Sequence, residues 1–290
     1  MEKVIEMNNE DLQLKGKYLG LPLPGLEPEI FAPGVVNTHH HEHSGPTFTP
    51  NGLEFYWSRW RRPDPDKELP QVIMFMKQVN GIWSKPEVAS FSGKYSDGGP
   101  VFSYDGQKIF FYSTRPNLKW GEHDNNIWFV ERTPKGWSEA IKLDVPINND
   151  KIQAGPSIAK NGNLYYCSYS ERIDDVEIVR SIIKENKFQK PKALGGHFNT
   201  AYRDWLPCIA PDESYIIYSS NGPKNIGRYD LYISFKSDED QWSNPINLGE
   251  KINSKGTERF PCLTLDGKFL FFVRDSTIYW VSAKIIDNFK

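Results

Sequence analysis

One short sequence pattern returns five times along this chain of 290 residues. Each copy has a proline, an alternating run, a reverse turn, and then a strand of aromatic and β-branched residues. The repeated prolines are Pro46, Pro100, Pro156, Pro207 and Pro261, which are 54, 56, 51 and 54 residues apart. A nearly constant period of this length is typical of a repeat architecture. It constrains the fold more than any other feature of the sequence.

Each repeat can be read as one four-stranded antiparallel unit. Four copies contain an Asn-Gly or Asp-Gly pair, which supplies the positive φ angles of a tight hairpin: Asn51-Gly52, Asp105-Gly106, Asn161-Gly162 and Asp266-Gly267. The remaining copy has Asp212, Glu213 and Ser214 there, which predicts a looser turn. The strand after each turn, such as 109–112, is apolar without alternation, so both of its faces are expected to be covered. Sheets stacked face to face around an axis meet that condition.

The two ends of the chain indicate how the repeats close. The fifth repeat lacks a fourth strand after 277–281, and segment 27–30 resembles segment 85–88, which precedes the second repeat. We therefore predict an all-β fold, a five-bladed β-propeller of four-stranded antiparallel blades whose ring is closed by the N-terminal strand. Residues 1–290 are expected to form one domain, with an N-terminal extension at 1–17 and a leader with the closing strand at 18–45. Only 2–14 has the composition of a short helix.

The repeat resembles that of the TolB-like propellers in its proline, its Asp-Gly turn, its aromatic strand and its later Trp-Ser pair: Trp83-Ser84, Trp137-Ser138 and Trp242-Ser243. Segment 18–34 resembles the leader of stand-alone bacterial proteins of that class. The resemblance covers about residues 18 to 285 and implies the propeller fold. It also implies a protein-binding scaffold or a partner domain of peptidases, while some related propellers are metal-dependent oligosaccharide lyases. We expect no α/β-hydrolase domain within these residues.

Composition argues against several functional classes. The formal net charge is −2 and the basic residues are dispersed, unlike those of a nucleic-acid-binding surface. No apolar run approaches the ~18 residues of a membrane span, and no secretory leader is recognisable, so we expect a cytoplasmic protein or an exported one without its signal. Cys208 and Cys262 occupy the same repeat position and are expected to be small buried residues with free thiols, and Cys167 is expected on a strand. Serine-hydrolase, phosphate-loop and dinucleotide patterns are missing. We expect a monomer.

Alignment of the repeats predicts where a ligand binds. The position three residues before each repeat proline is expected to form a ring at the mouth of the central channel, opposite the Asp-Gly turns: His43, Asp97, Gln153, Asp204 and Glu258. The same funnel is expected to receive neighbouring charged residues: Glu42, Arg203, Arg259, Arg59, Arg115, Arg172 and Arg274. Two interpretations stay open. Ring carboxylates can be structural, accepting backbone N–H groups and pairing with the arginines, or they can line a ligand site. The variation of the ring from repeat to repeat favours a ligand site.

A histidine-rich segment precedes the first repeat proline, with four of the six histidines at 39–43. Neutral imidazoles with a carboxylate suit a divalent metal, which is the only cofactor we expect. An extended segment would point His41 and His43 to the same side, with Glu258 as the third ligand. A surface loop without a metal is the alternative. Trp120 and Trp205 are predicted in loops on the same face, where flat rings beside charged groups suit a sugar or a peptide.

Two functional classes therefore stay open. The first is a ligand-binding module that holds a peptide, a protein partner or a glycan in a polar funnel at the channel mouth. The alternative is a carbohydrate-active enzyme with its site at the same mouth. A glycoside hydrolase would use two carboxyl groups there. A metal-assisted oligosaccharide lyase would use Arg59 or Arg274 to hold a substrate carboxylate.

Overall fold

The computed structural model describes residues 14–60, 71–116, 125–170, 175–195 and 197–290. Five small antiparallel sheets are arranged in a ring, so the protein is a five-bladed β-propeller, as the proline period predicts. None of the helices in these ranges is long and apolar enough to cross a membrane. The three cysteines are free thiols; Cys167 and Cys208 are buried, whereas Cys262, which was expected to be buried, is only partly so.

The blades are numbered here in chain order of their inner strands. Blade 1 contains His41–Glu42, Thr47–Phe48, Glu54–Trp60, Gln71–Val79, Ile82–Trp83 and Glu87–Val88. Blade 2 contains Asp97–Phe102, Lys108–Ser113, Asn126–Thr133, Gly136–Trp137 and Ile141–Lys142. Blade 3 contains Ile152–Ile158, Leu164–Tyr169, Glu177–Ser181 and Lys192–Ala193, with an added hairpin of Ile183–Lys184 and Lys187–Phe188.

Blade 4 contains Asp204–Ile209, Tyr215–Ser220, Asp230–Phe235 and Ile246–Asn247. Blade 5 contains Glu258–Leu263, Phe269–Arg274, Thr277–Ser282 and the N-terminal strand Glu29–Ile30. The only α-helix of the described ranges is the single turn Gly249–Ile252, and 3-10 helices lie at Lys17–Gly20 and Ala283–Phe289. The segment 2–13, where a short helix was considered, lies outside the described residues.

The N-terminal strand closes the ring, which confirms the prediction. Glu29 pairs with Trp280 and Ile30 with Tyr279 in antiparallel register. Asn37 fastens this junction, because its side-chain amide donates to the Ile278 carbonyl at 2.9 Å while its Oδ1 accepts the Ile278 N–H at 2.7 Å. The unpaired edge that the fifth repeat would otherwise present is thereby covered.

Aromatic side chains fill the space between blades 5 and 1. Phe31 is fully buried, and its ring centroid lies 5.1 Å from that of Phe271 and 5.2 Å from that of Trp280, both in edge-to-face geometry. Tyr18, from the leader, packs on Phe48 and Phe269 at 5.1 and 5.0 Å. Such edge-to-face pairs stabilise a core beyond the burial of their area.

Each inner strand has a bulge just before its repeat proline, and the bulge of blade 1 is longer. In blade 5, Arg259 pairs with Val273 and Cys262 with Phe271, which leaves one extra residue on the inner strand. In blade 1, Glu42 pairs with Arg59 and the next pair is Thr47 with Tyr56, which leaves two. The added residue shifts blade 1 by one position relative to its proline. Glu42 therefore stands where the proline alignment places His43, and His43 takes the next position along the strand.

Candidate functional site at the channel mouth

Six of the predicted charged residues form three salt bridges, one in each of three blades. Arg59 binds Glu42 at 2.9 Å, Arg115 binds Asp97 at 2.6 Å, and Arg274 binds Glu258 at 2.8 Å. The three carboxylates are completely buried. In blade 4 the buried carboxylate of Asp204 instead accepts the backbone N–H and the hydroxyl of Thr200 at 3.1 and 2.8 Å.

Each of the three paired arginines also makes a hydrogen bond to a backbone carbonyl, at an equivalent position in each blade. Each guanidinium donates to the carbonyl six residues before its carboxylate: Arg59 to Val36 at 3.0 Å, Arg115 to Phe91, and Arg274 to Ile252 at 2.9 Å. Each pair thus ties the loop that enters a blade to the second strand of that blade. Burial raises the pKa of Glu42 and Glu258, and that of Asp97 to about 6, while the arginines act in the opposite direction. These contacts are structural.

A different ring of residues lies at the mouth of the channel. Successive side chains of a strand point to opposite faces, so the residue after each of the four buried carboxylates, and after the buried Gln153 in blade 3, points away from it. In chain order of the blades this ring is His43, Gly98, Ala154, Trp205 and Arg259. The large polar members belong to the three consecutive blades 4, 5 and 1, and the small members to blades 2 and 3. We call the space bounded by these five residues the mouth pocket.

Tyrosine and glutamine side chains occupy the floor of the mouth pocket where the ring residues are small. The Tyr112 hydroxyl donates to Gln71 Oε1 at 3.1 Å, and both side chains are buried. A Cβ atom at Gly98 would collide with Tyr112 and Gln71, so only glycine fits there. Tyr112 belongs to the same apolar cluster as Ala154, and Tyr169 and Trp205 pack against it.

The channel below the mouth is narrow. It contains a cavity of about 60 Å³, lined by inner-strand residues that include Thr47, Cys208 and Cys262. That volume has room for a few water molecules at most. A larger ligand would therefore not fit inside this cavity.

His43 is enclosed by aromatic rings on one side of the mouth pocket. Its ring centroid lies 4.6 Å from that of Phe260 and 5.4 Å from that of Trp60. Burial, followed by the charge of Arg259 and by His41, lowers the pKa of His43 well below 6.5. Burial and Arg259 also lower the pKa of His41. Both imidazoles are therefore neutral at pH 7.

The buried neutral imidazole gives a pH dependence of stability. Below the unfolded-state pKa of about 6.5 the unfolded chain binds a proton at His43 that the folded chain does not, so acidification favours unfolding. Buried carboxyl groups with raised pKa values, such as that of Asp97, act in the opposite direction, so the effect must be measured as a difference. We expect His43→Phe to gain stability relative to the wild type as the pH falls from about 7 to about 5 in urea titrations. If the difference in the free energy of unfolding between His43→Phe and the wild type does not change with pH, this prediction is wrong.

Three polar atoms of the mouth pocket are buried without a hydrogen-bond partner among the described residues: His43 Nδ1, Trp205 Nε1 and Arg259 Nε. They come from the three adjacent blades 4, 5 and 1. Buried polar atoms in folded proteins nearly always have partners, and a cluster of unsatisfied ones requires an explanation. A ligand or ordered water at the mouth would supply the missing partners.

Blade 4 adds a wall of aromatic rings and a cation to the pocket. Trp205 packs against Tyr229 with ring centroids 5.6 Å apart. Arg203 lies over the Trp205 ring at 5.6 Å and donates to the Tyr229 hydroxyl at 3.0 Å. Arg203, Trp205 and Arg259 are therefore the predicted ligand-binding residues that the structure brings to the mouth pocket with His43.

The predicted metal ligands do not meet. The described part of the chain contains no group of three or more His, Cys, Asp or Glu side chains placed to hold a metal ion. The ring centroids of His41 and His43 are 6.2 Å apart, and the Glu258 carboxylate is bound by Arg274 and by the Ser254 hydroxyl at 2.6 Å. The predicted residues Trp120 and Arg172 lie outside the described residues.

Solved structures show where else this fold occurs. The chain is similar to known propellers. An α-L-arabinofuranosidase from Lactobacillus brevis superposes with a TM-score of 0.50 and 13% identity over 83% of this chain and 90% of that one. A gluconolactonase from Xanthomonas campestris gives a TM-score of 0.47 and 14% identity, over 90% and 96%. A puromycin-hydrolyzing peptidase from Mycobacterium tuberculosis gives 0.47 and 13% over 69% of this chain, which spans 28% of that peptidase's length.

These similarities show the fold alone, because the identities are low. No family model matches the chain, and no curated protein does. The function must therefore be argued from the mouth pocket itself.

Proposed function

We propose that the protein is a ligand-binding module and that its mouth pocket holds a peptide, a protein segment or a glycan. The observation that carries the proposal is the cluster of buried, unsatisfied polar atoms on His43, Trp205 and Arg259. These groups can complete their hydrogen bonds with a ligand, while the partly exposed ring of Trp205 offers apolar contact. A few polar groups set among aromatic rings are typical of small-molecule and peptide sites.

The pairing of the ring carboxylates favours binding over glycoside hydrolysis. A hydrolase of that kind places two carboxyl groups on either side of the scissile bond. Glu42, Asp97 and Glu258 are fully buried and bonded to arginines, so these three carboxylates are turned away from a substrate at the mouth. The arginines of the lyase hypothesis, Arg59 and Arg274, are held by the same pairs.

Replacing Trp205 by alanine tests the location of the site. Oligosaccharide and tripeptide panels are first screened by thermal shift, and hits are measured by calorimetry. We expect Trp205→Ala to weaken the binding of a hit at least ~10-fold, because an aromatic anchor contributes more than 1 kcal/mol. Val145→Ala, a change on an exposed residue at the periphery of blade 2, serves as the control. Equal affinities of the wild type and Trp205→Ala for every hit would show that the mouth pocket is not the site.

A further inference from the structure

Arg259 lacks the carboxylate partner that three other arginines near the mouth have within the described residues. Arg59, Arg115 and Arg274 each bind a buried carboxylate of their own blade. Arg259 makes no salt bridge with any described residue, and its Nε is buried without a hydrogen-bond partner there. The Arg259 side chain is nevertheless partly buried, and this burial is the main cause that lowers its pKa. A buried cation without an anion is unfavourable, so its retention calls for a partner from outside the chain.

The surroundings of Arg259 are suited to an anion. Its charge acts on His41 and His43 on one side and on Tyr112 and Tyr229 on the other, and Arg228 also lies nearby. Asp275 is the acidic group that acts on it, and the Asp275 carboxylate already accepts the Thr257 N–H at 3.1 Å. The His43 imidazole has a ring nitrogen without a partner among the described residues, and the Tyr229 hydroxyl, which accepts from Arg203, can still donate, whereas the Tyr112 hydroxyl already donates to Gln71.

The protein itself shows which anion fits such an arginine. In blade 1, Arg59 binds the Glu42 carboxylate side-on through Nε and Nη2, with Nε 2.9 and 3.0 Å from the two oxygens. The two parallel N–H groups of a guanidinium edge match the two oxygens of a carboxylate. Arg259 presents the same kind of edge, with its Nε unused.

On these grounds we propose that the ligand of the mouth pocket carries a carboxylate group, which binds side-on to Arg259 and receives a hydrogen bond from His43. The proposal rests on the proposed function, because it names the chemistry of the ligand that the mouth pocket holds. The partly exposed ring of Trp205 would contact the rest of the ligand. An acidic sugar and the terminal carboxylate of a short peptide both supply this group.

Matched acid and neutral probes test the requirement for the carboxylate. The acidic-sugar pair is trigalacturonate and its methyl ester, and the peptide pair is Ala-Ala-Phe and its C-terminal amide. We expect calorimetry to detect binding of one of the two acids in the millimolar range or tighter, with its neutral partner at least ~30-fold weaker, as for a lost buried charge pair. The pair of probes whose acid binds more tightly than its neutral partner identifies whether an acidic sugar or a peptide terminus supplies the carboxylate. Equal binding within both pairs, or no binding of either acid, would overturn the proposal.

Variants of Arg259 separate this proposal from the proposed function. Arg259→Gln is expected to abolish the preference for the acid, and Arg259→Lys to retain part of it, because lysine keeps the charge but not the paired donors. Arg180→Gln, which affects an exposed pair with Asp240, is the control and should leave binding unchanged. A hit that depends on Trp205 but not on Arg259 would refute the carboxylate and leave the binding module standing. A hit that depends on neither would refute both.

The stability of the free protein gives a second readout. Removing an unpaired, partly buried charge should not destabilise the fold, so Arg259→Gln is expected to melt at the wild-type temperature or above it. Arg259→Gln and Arg259→Lys should therefore both be folded and measurable. A clear loss of stability in Arg259→Gln would assign Arg259 a structural role and would contradict the proposal.

Discussion

Phe31→Ala is expected to lower the free energy of unfolding by about 3–5 kcal/mol, the range found when a large aromatic side chain is removed from a core. Phe31 is fully buried at the junction of blades 5 and 1 and contacts the rings of Phe271 and Trp280 edge-to-face. The cavity would open where the ring of blades closes. Urea unfolding followed by tryptophan fluorescence measures the loss directly.

Ile30→Ala provides the matched control for this effect. Ile30 is the preceding residue of the same strand, but 45% of its surface is exposed, so its truncation should cost less than about 1 kcal/mol. Deletion of residues 1–36 removes the closing strand entirely and is expected to abolish cooperative unfolding, because blade 5 would present an open edge. Equal costs for Phe31→Ala and Ile30→Ala would mean that packing at the junction does not hold the ring closed.

The architecture could be predicted because it depends on features that repeat. The proline period defines the blades, and the resemblance of 27–30 to 85–88 identified the strand that completes blade 5. Both signals are local and are visible several times over. The Asn37 bridge to Ile278 also belongs to the repeat, although the proline alignment did not single it out. The side chains of Asn148, Asn199 and Asn253 make the same two hydrogen bonds to the third strands of blades 2, 3 and 4.

The proline alignment placed the candidate site at the mouth of the channel, but it could not assign the contacts that the individual residues make there. The proline alignment cannot show that the blade 1 bulge is one residue longer, and so it exchanges Glu42 and His43. The sequence also cannot show that Glu42, Asp97 and Glu258 form salt bridges with arginines of their own blades. Trp205 and Arg259 were predicted at this face, and strand alternation, applied one residue after the buried polar position of each inner strand, is the signal that would have joined them to His43 in one ring.

A close contact between two loops holds the blade 4 and blade 5 sides of the mouth pocket together. The Arg228 N–H donates to the Gly256 carbonyl at 2.8 Å, and the Glu258 N–H donates to the Tyr229 carbonyl at 2.8 Å. Tyr229 and the strand that carries Arg259 are therefore positioned by the same backbone contacts. Gly227 allows the approach, since any side chain there would face the carbonyls of Ser254 and Gly256.

Gly227→Ala is expected to destabilise the protein by about 3 kcal/mol, at the upper end of the range for overpacking, because the Cβ atom would collide with backbone that cannot rotate away. Gly25→Ala is the control: its Cβ would have no neighbour within 4 Å, so it should be neutral or slightly stabilising. Since the two loops must separate, Gly227→Ala should also weaken ligand binding at the mouth under conditions where it is fully folded. Urea unfolding and calorimetry on the same preparations measure both effects. Wild-type stability with wild-type affinity would show that this contact does not position the pocket.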